Sequence, residues 1–279
     1  MPVPADRLAF FEHVTLTRET HDRPGPRMSA GESIAFLSGE DHIGTPETVS
    51  RAAAVWAICL GSAFDDVRRQ ALKPHLIAVA ASGRDVFEDD RCYLMIDWQV
   101  RVFAPRCLDA VGAAEADMLA ARLRGLDPIL GAESAGRTAP VTDDVYRATN
   151  RMRSSAEHRV HQARPVADHN HPSGLVGARG ADGLPEPQPA ALSAIGVARG
   201  CGAWTSCELL SHVLFRNGPR LSMSLPELAN WQAALSVGLD SLLLGAGRLG
   251  TAGLLDLMVE LQDSALDRLD RISCIGRLD

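Results

Sequence analysis

Lysine is almost missing from this chain. Of 28 basic residues, Lys73 is the only lysine; the others are arginines, set against 35 acidic residues and a net charge of −7. So strong a bias reads as the coding preference of a high-GC bacterial genome rather than as a functional signal. An acidic chain with scattered arginines gives little reason to expect nucleic-acid binding. Long apolar runs are also missing. The longest, such as residues 52–60, fall far short of the roughly 20 residues a membrane helix needs, so no membrane partner is expected. The N-terminal stretch, residues 1–13, has no basic region followed by an apolar one, which leaves a cytoplasmic protein as the expectation. Cysteines 59, 92, 107, 201, 207 and 274 include no CxxC pair and no even framework, and read as reduced core residues. GxSxG, HExxH, P-loop and EF-hand patterns are absent, as is any repeat of 20 to 50 residues.

What remains is an ordinary globular balance: 279 residues, 46% hydrophobic and 23% charged, enough for one large domain or two smaller ones. Helical signals dominate. Ser29 and Glu32 frame a capping box ahead of Ile34 to Leu37. Thr45 followed by Pro46 reads as a cap and first helical residue for the apolar run of residues 52–60, with Gly61 as its end. A segment from Asp65 and Asp66 carries Val67, Leu72, Leu76 and Val79, and Pro74 is expected to kink or split it. Residues 91–103 fit both a strand, by alternation, and a helix, through Tyr93, Ile96, Val100 and Phe103. With no second alternating run to pair with, a strand there could not satisfy its backbone, so a buried helix is expected. Pro105 and Gly112 bracket a short helical turn, and residues 114–126 follow as a helix.

Two irregular stretches divide the chain. Residues 127–140 carry Pro128, Gly131, Gly136 and Pro140, after which Thr142 is expected to cap a polar helix over residues 143–162. Residues 164–189, with five prolines and four glycines, form the larger break. Beyond it lie a helix at residues 203–216, a second capping box from Ser224 to Glu227, and a last helix with Leu254, Met258, Leu261, Ala265, Leu269 and Ile272 on one face. The expected architecture is a mainly α, all-α bundle of about eight to ten helices. Its organisation is an N-terminal lobe (1–163), a loop or linker (164–189) and a C-terminal lobe (190–279).

Four fragments could carry chemistry. In Asp168-His169-Asn170-His171-Pro172-Ser173-Gly174, two imidazoles one residue apart could hold Zn²⁺, with Asp168 or Asp182 as carboxylate ligand and Glu157 as general base for a metal-bound water. The His-x-His-Pro core resembles the zinc site of JAMM (MPN) metalloproteases, in the form seen in bacterial DNA-repair-associated members, and the resemblance implies a metal-dependent hydrolase. The serine and aspartate of that pattern fall at Ala178 and Ala181; Asp182 lies one residue further on, where a single insertion would put it. The bland reading of the same residues is a polar turn. His158 and His161, one turn apart, could join the ion or simply favour a helix C-terminus. Gly245, Gly247 and Gly250 spell GxGxxG, a dinucleotide fingerprint in form. Too little chain follows to build a Rossmann sheet, so a connection between helices is expected. His212, on an apolar helix, could be a haem ligand or a core histidine.

A broader likeness runs through Asp97, Trp98 and Arg101, then Ala104, Pro105, Leu108 and Asp109, then Ala120, Leu123, Arg124, Leu126, Pro128 and Ile129, and at the end Leu261, Gln262, Ser264, Ala265, Leu269, Asp270 and Arg271. These positions are similar to a group of helical proteins of high-GC bacteria, a likeness that implies an all-helical fold and no particular activity. No catalytic constellation is complete, and the last helix is amphipathic. The expectation is therefore a helical binding or interaction protein, its partner an unknown protein or small molecule, with a homo-oligomer in view. The alternative is a metal-dependent hydrolase acting through His169 and His171. Elemental analysis of protein purified without an affinity tag separates the two. The hydrolase predicts about one equivalent of zinc, lost when His169→Ala and His171→Ala are combined. Because Ala178 and Ala181 stand in place of the pattern's serine and aspartate, metal-free protein is the expected result.

Overall fold

A computed structural model describes residues 3–40, 46, 48–83, 85–163 and 225–276. The protein is mainly α-helical. Helices α1 (Ala5–Glu12), α2 (Ala30–Ser38), α3 (Arg51–Ala63), α4 (Asp66–Gln70), α5 (Lys73–Ala80) and α6 (Glu88–Trp98) come first. A π-helical turn (Gln99–Phe103), α7 (Ala104–Asp109), α8 (Ala114–Arg124), α9 (Ala132–Ala163) and α10 (Leu225–Cys274) follow. Two short strands, β1 (Thr15–Leu16) and β2 (Arg27–Met28), pair in parallel with Thr15 opposite Arg27. The outer edge of β1 is closed by a side chain: Leu16 N–H donates to Gln70 Oε1 (3.0 Å) and Gln70 Nε2 donates to the Leu16 carbonyl (2.9 Å).

Local chemistry sets most boundaries. The Ser29 capping box forms as expected, with Ser29 N–H on Glu32 Oε2 at 2.7 Å. Asp65 caps α4, accepting from Arg68 N–H at 2.8 Å. Pro74 splits the 65–80 segment, sitting in the first turn of α5 where its missing N–H costs nothing. Residues 91–103 are helical throughout, passing from α6 into a wider turn at Gln99.

Elsewhere the structure corrects the sequence. The cap of α3 is Ser50, whose Oγ accepts from Ala53 N–H (3.2 Å); Thr45 lies outside the described residues. Gly61 does not end α3, which runs on to Ala63. There the buried Arg69 takes over the open helix end, donating to the carbonyls of Gly61 (2.6 Å) and Phe64. The irregular stretch 127–140 is helical from Ala132 onward, through Gly136 and Pro140, and Thr142 is an interior residue rather than a cap. Pro140 is exposed, so the Gly136 carbonyl it leaves unpaired can be met by water. Thr138 and Thr142 turn their hydroxyls back onto the carbonyls of Ala135 (2.9 Å) and Thr138 (2.8 Å), which keeps buried threonines compatible with the helix. Burial of Ala135, Val145 and Ala148, with α10 packed along α9, outweighs the poor local propensity. Asp143 and Asp144 accordingly lie mid-helix, pairing with Arg147 (2.7 Å) and Arg122 (3.5 Å).

The described part of the 190–279 segment does not stand apart. Helix α10 packs on α9, α7, the π turn, α3, α6 and α5, and its buried residues join a single apolar core with those of the first 163 residues. The break at 164–189 and the helix at 203–216 lie outside the described residues. At the GxGxxG sequence, Gly245 and Gly247 are helical; only Gly250 departs, with φ +64° and ψ −174°, dividing α10 in two. Gly238 and Gly245 are there for packing. A Cβ on Gly245 would meet the Ala110 carbonyl oxygen at 2.5 Å, and one on Gly238 would meet the Phe103 ring at 2.2 Å. Nothing lies within 4 Å of a Cβ on Gly247. The two positions should therefore respond with opposite signs. Gly245→Ala should lower stability by about 1–3 kcal/mol through overpacking, and Gly247→Ala should raise it by about 0.5–1 kcal/mol through helix propensity. Urea denaturation midpoints check both.

Candidate functional site

The residues proposed for metal chemistry do not come into view together. Asp168, His169, His171 and Asp182 lie outside the described residues, as do His212, Cys201 and Cys207. Glu157, His158 and His161 are carried on the last turns of α9. Among the described residues, no group of three or more His, Cys, Asp or Glu is arranged to hold a metal. Cys59, Cys92 and Cys107 are buried, as read from the sequence, and Cys274 is exposed. Burial, helped by Glu88 and Asp89, pushes the Cys92 thiol far above its ordinary range, so it stays protonated and unreactive.

What the structure does assemble is the second half of α10 and its setting. The inner face, Leu254, Leu261, Ala265, Leu269 and Ile272, is fully spent in the chain's own core, with Met258 half-buried beside it. Two indoles fix its depth: Trp56 Nε1 donates to the Ala265 carbonyl and Trp98 Nε1 to Ser264 Oγ, each at 2.9 Å. The two rings meet edge to face with centroids 5.1 Å apart. Asp97 Oδ1 accepts from Arg101 and from Ile129 N–H (both 3.0 Å), and Oδ2 from Arg268 of α10 (3.3 Å). At the far end the fully buried Arg91 grips Asp85 with two bonds (2.6 and 2.8 Å), Glu88 at 3.2 Å, and the carbonyls of Ile272 and Ile275. Arg248 ties the first half of α10 to the carbonyls of Asp109 (2.9 Å) and Ala110 (3.0 Å).

The outer face is different. Residues 232–274 contain an 18-residue stretch of mean hydropathy 1.4 of which only 22% is buried. By length and composition this helix is apolar enough to cross a membrane, although Gly250 interrupts it and its inner face is packed. Leu255 and Val259, one turn apart, are 46% and 45% exposed. Arg68 reaches from α4 to the Val259 carbonyl (3.1 Å) and to Asp263 at the border of this face. Asp256 beside Leu255, and Asp263 with its partner Arg68, border this apolar pair. An apolar groove of about 490 Å³ lies between Phe87, Leu94, Leu130 and Ile275. Sequence periodicity finds the inner face of α10 but not the outer one, because Leu255 and Val259 read as neighbours of core positions.

No protein family matches this sequence, and no curated protein or solved structure matches it either.

The Arg91 latch generates a pH prediction. The hydrogen bond from Arg91 holds the Asp85 carboxyl below its ordinary value, against a smaller opposing effect of burial. The pair's contribution to stability is thus complete above the unfolded carboxyl's pKa and is lost as pH falls through the lower folded value. Asp85→Asn should be less stable than the parent at neutral pH, with the gap closing on acidification below about pH 4. A gap that stays constant from pH 7 to pH 3 would contradict the assignment.

Proposed function

We propose that the protein is a helical interaction protein whose docking surface is the outer face of α10, and that its partner there is a second copy of the chain. The observation that supports this reading is the apolar stretch of α10, only 22% of it buried, together with Leu255 and Val259 exposed one turn apart. Contiguous apolar surface bordered by charge is the composition of a protein–protein contact, with an apolar centre and a polar rim. A two-fold contact places the same patch on both copies, and an apolar patch is complementary to itself. The face sits on a rigid base, since the opposite side of the same helix is fixed by Trp56, Trp98, Asp97 and Arg91, so little ordering is needed on docking.

Sedimentation or light scattering across a concentration series tests the reading. The parent chain should self-associate, and Leu255→Glu combined with Val259→Glu should shift it to monomer without loss of helical signal or of thermal stability. A parent chain that stays monomeric at every concentration, or an association indifferent to both substitutions, would refute it.

A further inference from the structure

A cleft of about 750 Å³ opens between the end of α1, β1 and the α4–α5 pair, and no described residue of α10 lines it. Its volume falls in the range of small-molecule sites, roughly 300–1,000 Å³. The walls are held in place by bonds already made. Gln70, which lines the cleft, locks β1 through both the amide and the carbonyl of Leu16, and Asp65 caps α4. Val67 stands on the cleft wall 86% exposed, an apolar side chain that the fold leaves uncovered.

The charges around the cleft do not cancel. Asp66 is engaged by Arg69 (2.5 Å), and Glu19 and Arg27 pair with each other (3.6 Å). That leaves Arg18, Lys73 and His13 on the lining against Glu12 alone. In a chain of net charge −7, such a surplus of basic groups in one concave site attracts anions to it. Lys73 is half-buried at the start of α5, with its ammonium 5.7 Å from the centre of the Phe11 ring and one proton on the Glu12 carbonyl at 3.0 Å. An ammonium has three donors, so two remain for a ligand. Arg18 is exposed and makes no ion pair among the described residues.

We infer that this cleft binds a small organic anion, an apolar body ending in a carboxylate or phosphate. The head group accepts charge-assisted hydrogen bonds from the Lys73 ammonium and the Arg18 guanidinium, and the body covers Val67. Because Lys73 is held by Phe11 and the Glu12 carbonyl before any ligand arrives, little of its freedom is lost on binding. The site stands apart from the outer face of α10 and does not depend on self-association.

Calorimetric titration of the full chain with hexanoate, and separately with hexyl phosphate, at fixed ionic strength tests the inference and distinguishes the two head groups. Saturable binding of at least one is expected, weakened about tenfold or more by Lys73→Met and measurably by Arg18→Gln and Val67→Ser. Arg18 and Val67 are exposed, so their variants report on binding even if Lys73→Met fails to fold. The rarity of lysine supplies a second readout. Lys73 is the only lysine, so acetylation by an amine-selective reagent marks one side chain, with the α-amino group as reference in the same mass spectrum. The ligand at saturation should slow acetylation of Lys73 and leave the reference unchanged. No saturable binding of either anion, affinity unchanged in both Arg18→Gln and Val67→Ser, or Lys73 acetylated equally fast with and without the ligand, would overturn the site.

Discussion

The carboxylate of Asp97 is where this fold is tied together. Buried at the end of α6, it receives the guanidinium of Arg101 one turn on, the amide of Ile129 ahead of α9, and the guanidinium of Arg268 from α10. Three parts of the chain separated by up to 171 residues meet on two oxygen atoms. Charge-assisted hydrogen bonds of this kind fix register where apolar packing would tolerate sliding. Trp98, the next residue, adds a directional bond to Ser264 and stacks on Phe103, whose ring fills the space left by Gly238 on the first half of α10. The second half of α10 is therefore fixed by Asp97 and Trp98 of α6, and the first half packs on Phe103 of the π turn that follows.

That arrangement makes sense of sequence positions otherwise scattered along the chain. Asp97, Trp98 and Arg101 form one cluster with Ile129 and Ser264, and Trp56 adds a bond to Ala265. Asp109 pairs with Arg124, which also donates to the Pro105 carbonyl (3.4 Å) and so joins α7 to α8. His75 binds Asp270 at the end of the same helix. The short fragments that stood out in the sequence are the polar contacts that hold the helices in place.

Much of the fold was legible because its signals are local. The Ser29 capping box, the helix start at Asp65 and Asp66, the proline split at Pro74 and the periodic inner face of α10 each depend on residues within one or two turns. The long helix α9 was not legible. Pro140, Gly136 and Thr142 all argue locally for a break, and only burial against α10 and the back-bonded threonines override them. The cap at Ser50 and the continuation of α3 past Gly61 were hidden for a similar reason, since the helix end is satisfied by Arg69, a residue of the next helix. As for function, the histidine motif at residues 168–174 was the sharpest sequence signal yet lies outside the described residues. The exposed outer face of α10 gives no periodic signal, because its leucine and valine merge with those of the core, and the pairing of Asp97 with Arg268 emerges only when α6 and α10 are brought together.

The central claim, that α10 is held to α6 through Asp97, is tested most directly by a double-mutant cycle. Asp97→Ala, Arg268→Met and the double variant would be compared with the parent by urea denaturation. The account predicts a coupling energy of about 1–3 kcal/mol, with the double variant less destabilised than the sum of the singles. Strictly additive effects would contradict it.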